Sequence, residues 1–495
     1  MSHRLPVPPA PGPLEAYAQA FDDLFAKRTQ RAGFRRYLEG LLLPTERNKT
    51  LTGLAHTEPV RGAQHATAQR FQWFLTESTW APTAINQRRL ALLGHLPATA
   101  PHAGGVLVID ETGDRKWGTK TAHVGRQYLG SIGKIDNGVV SVSSLWADDS
   151  LYYPLEVEPY TPAHWFAKGQ ADSAFRTKPA IAIELVKRAQ ALTVPFRAVV
   201  ADAFYGSHLG FRGALATLGV PYVLAEKPSH AWWHLEGAIG SAYELAQAAP
   251  WQAVHPGCWQ PLCRRFRDGH IERWWALEAE GGPYGRAKAE RLVIASTDPA
   301  TLPEATTWYL VTNLPAPGAA AQRAHAPASV AEVVRLYGLR MWVEQSYKQV
   351  KQTLGWAEYQ VRADLAIRRH WHLVYCAFSF CWWAGASPTG PARDLSEDTA
   401  PPLLHEAQGQ AELVVVPTVG LGEKKRPRPQ GRRGAQHVAP GLTPRPGVVG
   451  AWNYAVALLA SMVSQGPTAR LATPPGLAVG GARDRSLYPV TTNYC

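Results

Sequence analysis

An α/β fold is predicted by two short apolar runs that each end in an aspartate, Val106–Asp110 and Arg197–Asp202, and by the amphipathic stretch Ile181–Leu192 lying between them. Short runs of Val, Ile, Leu and Ala bounded by polar turns read as strands buried on both faces. Such strands need helices over the sheet, and the amphipathic stretch supplies one.

The remaining elements follow in chain order. After a Pro-rich leader, Leu14–Gly94 reads as helical, with Tyr17, Phe21, Leu24 and Phe25 at helical spacing. Arg31, Arg35, Arg36, Arg47, Lys49, Arg61 and Arg70 make residues 1–100 a basic helical region. His95–Gly105 is a linker of small residues. Strands are expected at Val106–Asp110, near Gly138–Trp146 and near Leu151–Pro159. The helix Ile181–Leu192, the strand Arg197–Asp202, a helix over His208–Leu218 and a strand at Pro221–Ala225 come next. This order, β-β-β-α-β-α-β, describes most of an RNase H-like core over residues 101–225. From 226 to 329 the chain is rich in Trp and in short strand-like runs (Arg273–Leu277, Arg291–Ala295, Trp308–Thr312), which reads as a β-rich insertion. Helix resumes over Val330–Leu354 and again at about Leu365–Ala386, so residues 330–386 are expected to complete the core. Residues 387–495 are a Pro/Gly-rich basic linker and tail, with one more helix expected at Val448–Val463.

Charge narrows the function. The net charge is +12, and residues 1–100 hold 12 Lys/Arg against 7 Asp/Glu. A surplus spread along the chain suits a protein that grips a long polyanion at several places. A second excess, Gly422–Gly434, carries Lys424, Lys425, Arg426 and Arg428, able to track phosphates. The five cysteines form no C-x-x-C pair, which argues against a disulfide framework or a structural zinc site and for a reducing cytoplasm. The start lacks the apolar run of a signal peptide. Leu373–Ala386 is shorter than the roughly 20 residues that span a bilayer, and reads as a buried helix.

The chemistry lies with the acids. Asp110 and Asp202 each close a strand and open a Gly-containing turn, so adjacent strand ends would bring both carboxylates to one sheet edge. Paired carboxylates repel unless a cation lies between them, and oxygen donors without a His or Cys cluster favour Mg2+ or Mn2+. Tyr337, Arg340, Glu344 and Lys351 are spaced three, four and seven apart and fall within roughly 60° on one helix face. That stripe offers a third carboxylate beside two cations and a phenol suited to phosphate.

Tyr337-x2-Arg340-x3-Glu344-x6-Lys351 resembles the Y-R-E-K signature of insertion-sequence family 4 transposases. Asp110-Glu-Thr-Gly with Lys116, Gly118 and Thr119, then Gly125-Arg-Gln-Tyr128 and Gly130, resembles the related family 701 of the DDE superfamily. So do Phe175-Arg-Thr-Lys-Pro179 and Asp202-x-x-Tyr-Gly206. The resemblance covers roughly Leu107 to Ala386. It implies an RNase H-like catalytic domain interrupted by a β-rich insertion, with Asp110, Asp202 and Glu344 as the metal-binding triad for two Mg2+ or Mn2+ ions. It further implies double-stranded DNA as partner (element terminal repeats and target), a homodimer on DNA, and a bacterial, nucleoid-associated location; the basic helical character of residues 1–100 makes them the expected DNA-binding region. Tyr337, Arg340, Lys351 and the tail cations are the expected DNA contacts.

Two other readings compete. A catalytically silent DNA-binding protein derived from a transposase is opposed by the presence of all three carboxylates. A carbohydrate hydrolase would suit the 18 Trp and paired acids, but the basic surplus favours phosphate. Trp232, Trp233, Trp274 and Trp275 are candidates to stack on a flipped base, though each is better explained as a buried aromatic. His370 and His372 are not expected to bind metal.

Overall fold

The computed structural model describes residues 9–386, apart from 11, 46, 60, 236–237, 253–255, 267–269, 282–289 and 320–324. The expected basic tail and last helix lie outside the described residues, as do Lys424, Lys425, Arg426 and Arg428.

The N-terminal periodicity becomes α1 (Pro13–Gln19), α2 (Arg28–Leu42), α3 (Leu51–Leu54), α4 (Ala66–Thr76) and α5 (Pro82–Gly94). Their apolar stripes share one core with a long buried helix, Asp364–Ala386. Tyr17 donates its hydroxyl to the Cys376 carbonyl at 3.1 Å, and the Tyr37 hydroxyl lies 2.8 Å from His370 Nδ1. Several N-terminal cations are internal. Arg35 is buried against Glu15 and Asp22, and the Lys49 ammonium donates to the backbone carbonyls of Leu41 and Leu43. Arg31 is buried too.

The sheet begins with β1 (Val106–Arg115), β2 (Gly125–Leu129), β3 (Lys134–Ala147) and β4 (Tyr152–Tyr160). After α6 (Lys178–Ala191) come β5 (Ala198–Ala201), α7 (Ala203–Gly206), α8 (Leu209–Thr217) and β6 (Tyr222–Ala225). β3 runs antiparallel to β1, β2 and β4, while β5 runs parallel to β1 and β6 parallel to β5. The result is an α/β fold with a large mixed sheet. β2 has no counterpart among the expected strands, because Gly125-Arg-Gln-Tyr-Leu is too short and polar to signal one.

The Trp-rich stretch is β7 (Ala231–Leu235), β8 (Ala238–Ser241), α9 (Ala242–Ala248), β9 (Gln260–Arg265), β10 (Ile271–Gly281), β11 (Glu290–Ser296) and β12 (Thr307–Thr312). These strands continue the first sheet: β12 pairs antiparallel with β6, and the order is β2-β3-β1-β5-β6-β12-β11-β10-β7-β8. Trp274 is buried and packs at a tilt of 51° against Trp308, with the Arg264 guanidinium over both rings.

The helix expected over Val330–Leu354 is two helices, α10 (Val330–Gly338) and α11 (Met341–Gln352), followed by α12 (Asp364–Ala386). At the break the bonds tighten to a three-residue span, with Arg340 N donating to Tyr337 O and Val343 N to Arg340 O. The chain stays in the helical region through Leu339 and Arg340, so α11 continues α10 with a local bend. Among the described residues no helix is long and apolar enough to cross a membrane.

Candidate active site

The parallel pairing of β1 and β5 ends at Ile109 and Ala201, so Asp110 and Asp202 are the next residues of two adjacent strands. The strands end differently. β5 stops because Asp202 caps α7, its Oδ1 accepting from the backbone of Phe204 at 3.1 Å and Tyr205 at 3.4 Å. Gly206 lets α7 close against β6, since a Cβ there would sit 1.8 Å from the Ala225 carbonyl oxygen. β1 does not stop at Asp110, as expected from the sequence, but runs five residues further because its antiparallel ladder with β3 continues to Arg115.

The bend between α10 and α11 delivers Arg340 to this point. Its Nη2 lies 3.0 Å from Asp110 Oδ2 and 3.9 Å from Asp202 Oδ2, and its Nη1 lies 3.4 Å from Glu344 Oε1. One guanidinium therefore gathers the three carboxylates that the sequence singled out. Their side-chain exposure rises from 10% at Asp110 to 36% at Asp202 and 69% at Glu344, so the cluster opens to solvent on the Glu344 side. Standing around a guanidinium, the carboxylates do not converge on a common point. Among the described residues no group of three or more His, Cys, Asp or Glu is set to hold a metal ion as it stands.

Electrostatics follow from burial and crowding. Burial pushes the Asp110 carboxyl up to about 7; Arg340 opposes this and Asp202 adds to it. Burial would lower the Arg340 pKa, but the carboxylates hold it above its usual range, so it stays charged. Arg340 Nε is buried without a hydrogen-bond partner, an N–H directed at no acceptor of the protein.

The other expected site residues are placed less uniformly. Burial pushes the Tyr337 phenol up to about 12, and its ring packs edgewise on Trp308 at 5.0 Å. Lys351 does not lie beside Glu344. Its ammonium sits 2.7 Å from Asp114 Oδ1 and 3.1 Å from the Gly113 carbonyl, tying α11 to the far half of β1. His370 and His372 are buried, and burial brings both down to about 4.

Sequence reasoning gave no role to Glu111, Lys178 or Tyr205, which meet beside the carboxylates. Lys178 Nζ lies 2.6 Å from Glu111 Oε1, and the Tyr205 hydroxyl donates to Glu111 Oε2 at 3.2 Å. The signal was present, since each belongs to a motif already noted: Asp110-Glu, Phe175-Arg-Thr-Lys and Asp202-x-x-Tyr. The trio links the strand of Asp110 to the turn of Asp202. Tyr347 on α11 likewise reaches Ser143 on β3, hydroxyl to hydroxyl, at 2.7 Å. A cavity of about 500 Å3 lies elsewhere, lined by Leu51, Gln72, Gln360 and Arg362 among others, and none of the three carboxylates lines it.

Residues 20–274, just over half of the chain, match the family model described as DDE superfamily endonuclease. A probable transposase for insertion sequence element IS701 from Microchaete diplosiphon is 32% identical over 349 residues, covering 70% of this chain and 81% of that protein. Among solved structures, a piggyBac transposase synaptic complex with hairpin DNA aligns with a TM-score of 0.38 and 12% identity over 72% of this chain, which spans 65% of that one. The family match and the identity over most of both lengths lead to one assignment: the chain belongs to the DDE superfamily of endonucleases and is a transposase of the insertion-sequence 701 kind.

Proposed function

We propose that this transposase cuts the ends of its insertion sequence and joins them to target DNA at Asp110, Asp202 and Glu344. The observation that supports this reading is that all three carboxylates face the one guanidinium of Arg340. Oxygen-only donors around a cation suit a hard divalent ion, so these three residues would hold Mg2+ or Mn2+, two ions in all. Such ions supply Lewis-acid activation of the attacking and leaving oxygens.

The chain's own residues do the positioning. Arg340 keeps like charges together where β1 passes the end of β5. Tyr337, packed on Trp308, braces the bend that carries Arg340. Lys351 holds α11, and with it Glu344, against β1 through Asp114. Fixed geometry of this kind supplies a large share of catalysis in an in-line phosphoryl transfer.

In this reading residues 101–225 and 330–386 are the two parts of an RNase H-like core, 226–329 a β-rich insertion, and 1–100 a helical DNA-binding region. The basic residues Lys424, Lys425, Arg426 and Arg428 of 387–495 add phosphate contacts. The active form is a homodimer on double-stranded DNA, at the nucleoid in the bacterial cytoplasm.

The test is single-turnover cleavage of a duplex bearing the element end. Asp110→Ala, Asp202→Ala and Glu344→Ala should each lose roughly a thousandfold or more in rate while still binding that duplex. Near-normal cleavage by any of the three removes that residue from the triad.

A further inference from the structure

The motif Lys116 to Gly130 is not absorbed by the carboxylate site, and it builds a surface. Between Arg115 and Ile135 the sequence has five Lys or Arg and no acid. Arg115 pairs with Asp136, and Lys116 is turned inward onto the Ala357 and Tyr359 carbonyls. Lys120, Arg126 and Lys134 are left exposed.

Large apolar side chains stand among them. Tyr128 and Ile135 are directly opposite in the β2–β3 ladder, so they share a face, and both are exposed. Arg126 lies opposite Asn137 on that same face. Asn137 Nδ2 donates to the carbonyls of Lys116 at 2.8 Å and Gly118 at 2.9 Å, pinning the intervening Trp117 above the hairpin. Gly118, at φ 81°, makes the left-handed turn that leaves the Trp117 ring 81% exposed, with the Arg115 guanidinium 4.3 Å from its centre. An aromatic held at this exposure by a built loop is a contact surface without its partner.

We infer that the β2–β3 hairpin and the Trp117 loop form a second DNA-contacting surface, with Lys120 and Arg126 on backbone phosphates and Trp117, Tyr128 and Ile135 against sugars and base edges. The inference rests on the reading that DNA passes over Asp110. Charge favours DNA over a second copy of the chain, because two such faces would repel, and Lys is depleted from protein interfaces. Position favours it as well. β1 runs five residues from Asp110 to Arg115, about 17 Å at ~3.4 Å per residue, which matches roughly five base pairs of a duplex lying along the strand.

The experiment measures the affinity of the full-length protein for a fluorescein-labelled duplex of arbitrary sequence against salt, without divalent metal. The variants are Lys120→Gln, Arg126→Gln, their double combination and Trp117→Ala. Each cation removed should lower the log–log salt slope by about 0.9, and Trp117→Ala should weaken binding about tenfold with little change in slope. Unchanged slope and affinity in the double variant overturn the surface. So does a change in oligomeric mass, read by light scattering, with an unaltered DNA slope, which would make the face a protein interface. Asp110→Ala should bind this duplex as the parent does. Normal cleavage by that variant would instead sink the active-site reading, so the two ideas fail separately.

Discussion

Two charge clusters on one sheet are built in opposite proportions. Midway along β1, at Asp110, a single guanidinium, Arg340, faces three carboxylates. On β4 a single carboxylate, Glu158, faces three guanidiniums: Arg368 at 2.8 Å, Arg176 at 2.9 Å and Arg188 at 3.1 Å. Burial alone would raise both acids. At Glu158 the arginines reverse that effect and hold the carboxyl at about 2, whereas at Asp110 the single arginine does not, and the carboxyl stands at about 7. The fold itself neutralises Glu158, which stitches β4 to α6 and α12. It leaves Asp110, Asp202 and Glu344 short of positive charge, a state that suits a site meant to take up further cations. A buried acid is therefore informative through the charge it lacks more than through its burial.

The comparison breaks most visibly through Arg340. Arg340→Lys should lower single-turnover cleavage of a pre-bound element end by tenfold or more, because a point charge cannot reach three carboxylates through a planar fork. A rate equal to the parent's would mean that the planar fork of Arg340 has no part in catalysis.

Glu158→Gln tests the other cluster. It should destabilise the protein by about 3 kcal/mol near neutral pH, since it leaves three guanidiniums around a neutral amide. Cleavage below the melting temperature should survive. The sign with pH follows from the depressed carboxyl. The Glu158 contribution is fully present above the unfolded value of about 4.3 and is lost as pH falls through about 2. Melting temperatures of parent and variant should therefore converge in acid. A gap that stayed constant down to pH 2 would mean that packing, and not charge, holds that junction.

Much of the site was legible because strand ends and helix spacing are local signals. Asp110, Asp202, Arg340 and Glu344 could be found from two apolar runs and one stripe. What stayed hidden depends on distant pairing. β1 looks finished at Asp110 because Glu111-Thr-Gly-Asp is polar, and only its ladder with β3 extends it. That the strands between 226 and 312 continue the first sheet was not legible, because the junction, β6 on β12, joins residues far apart in sequence. The break at Leu339–Arg340 follows Gly338, but one glycine inside an otherwise periodic apolar pattern is a weak stop signal, so one helix was the natural expectation. Lys351 shares a helical stripe with Glu344, yet Asp114 from β1 captures it first. The N-terminal cations gave residues 1–100 a basic character, whereas Arg35 and Lys49 are consumed by internal acids and carbonyls.

The account stands most directly on cation uptake at the carboxylates. Titrating Mn2+ into the free protein and following the bound ion by electron paramagnetic resonance measures this without DNA or turnover. The parent protein and Glu158→Gln should bind Mn2+ alike, while Asp110→Asn and Asp202→Asn should each weaken binding at least tenfold. Equal Mn2+ binding by the parent and both aspartate variants would contradict the claim that these residues form the metal site.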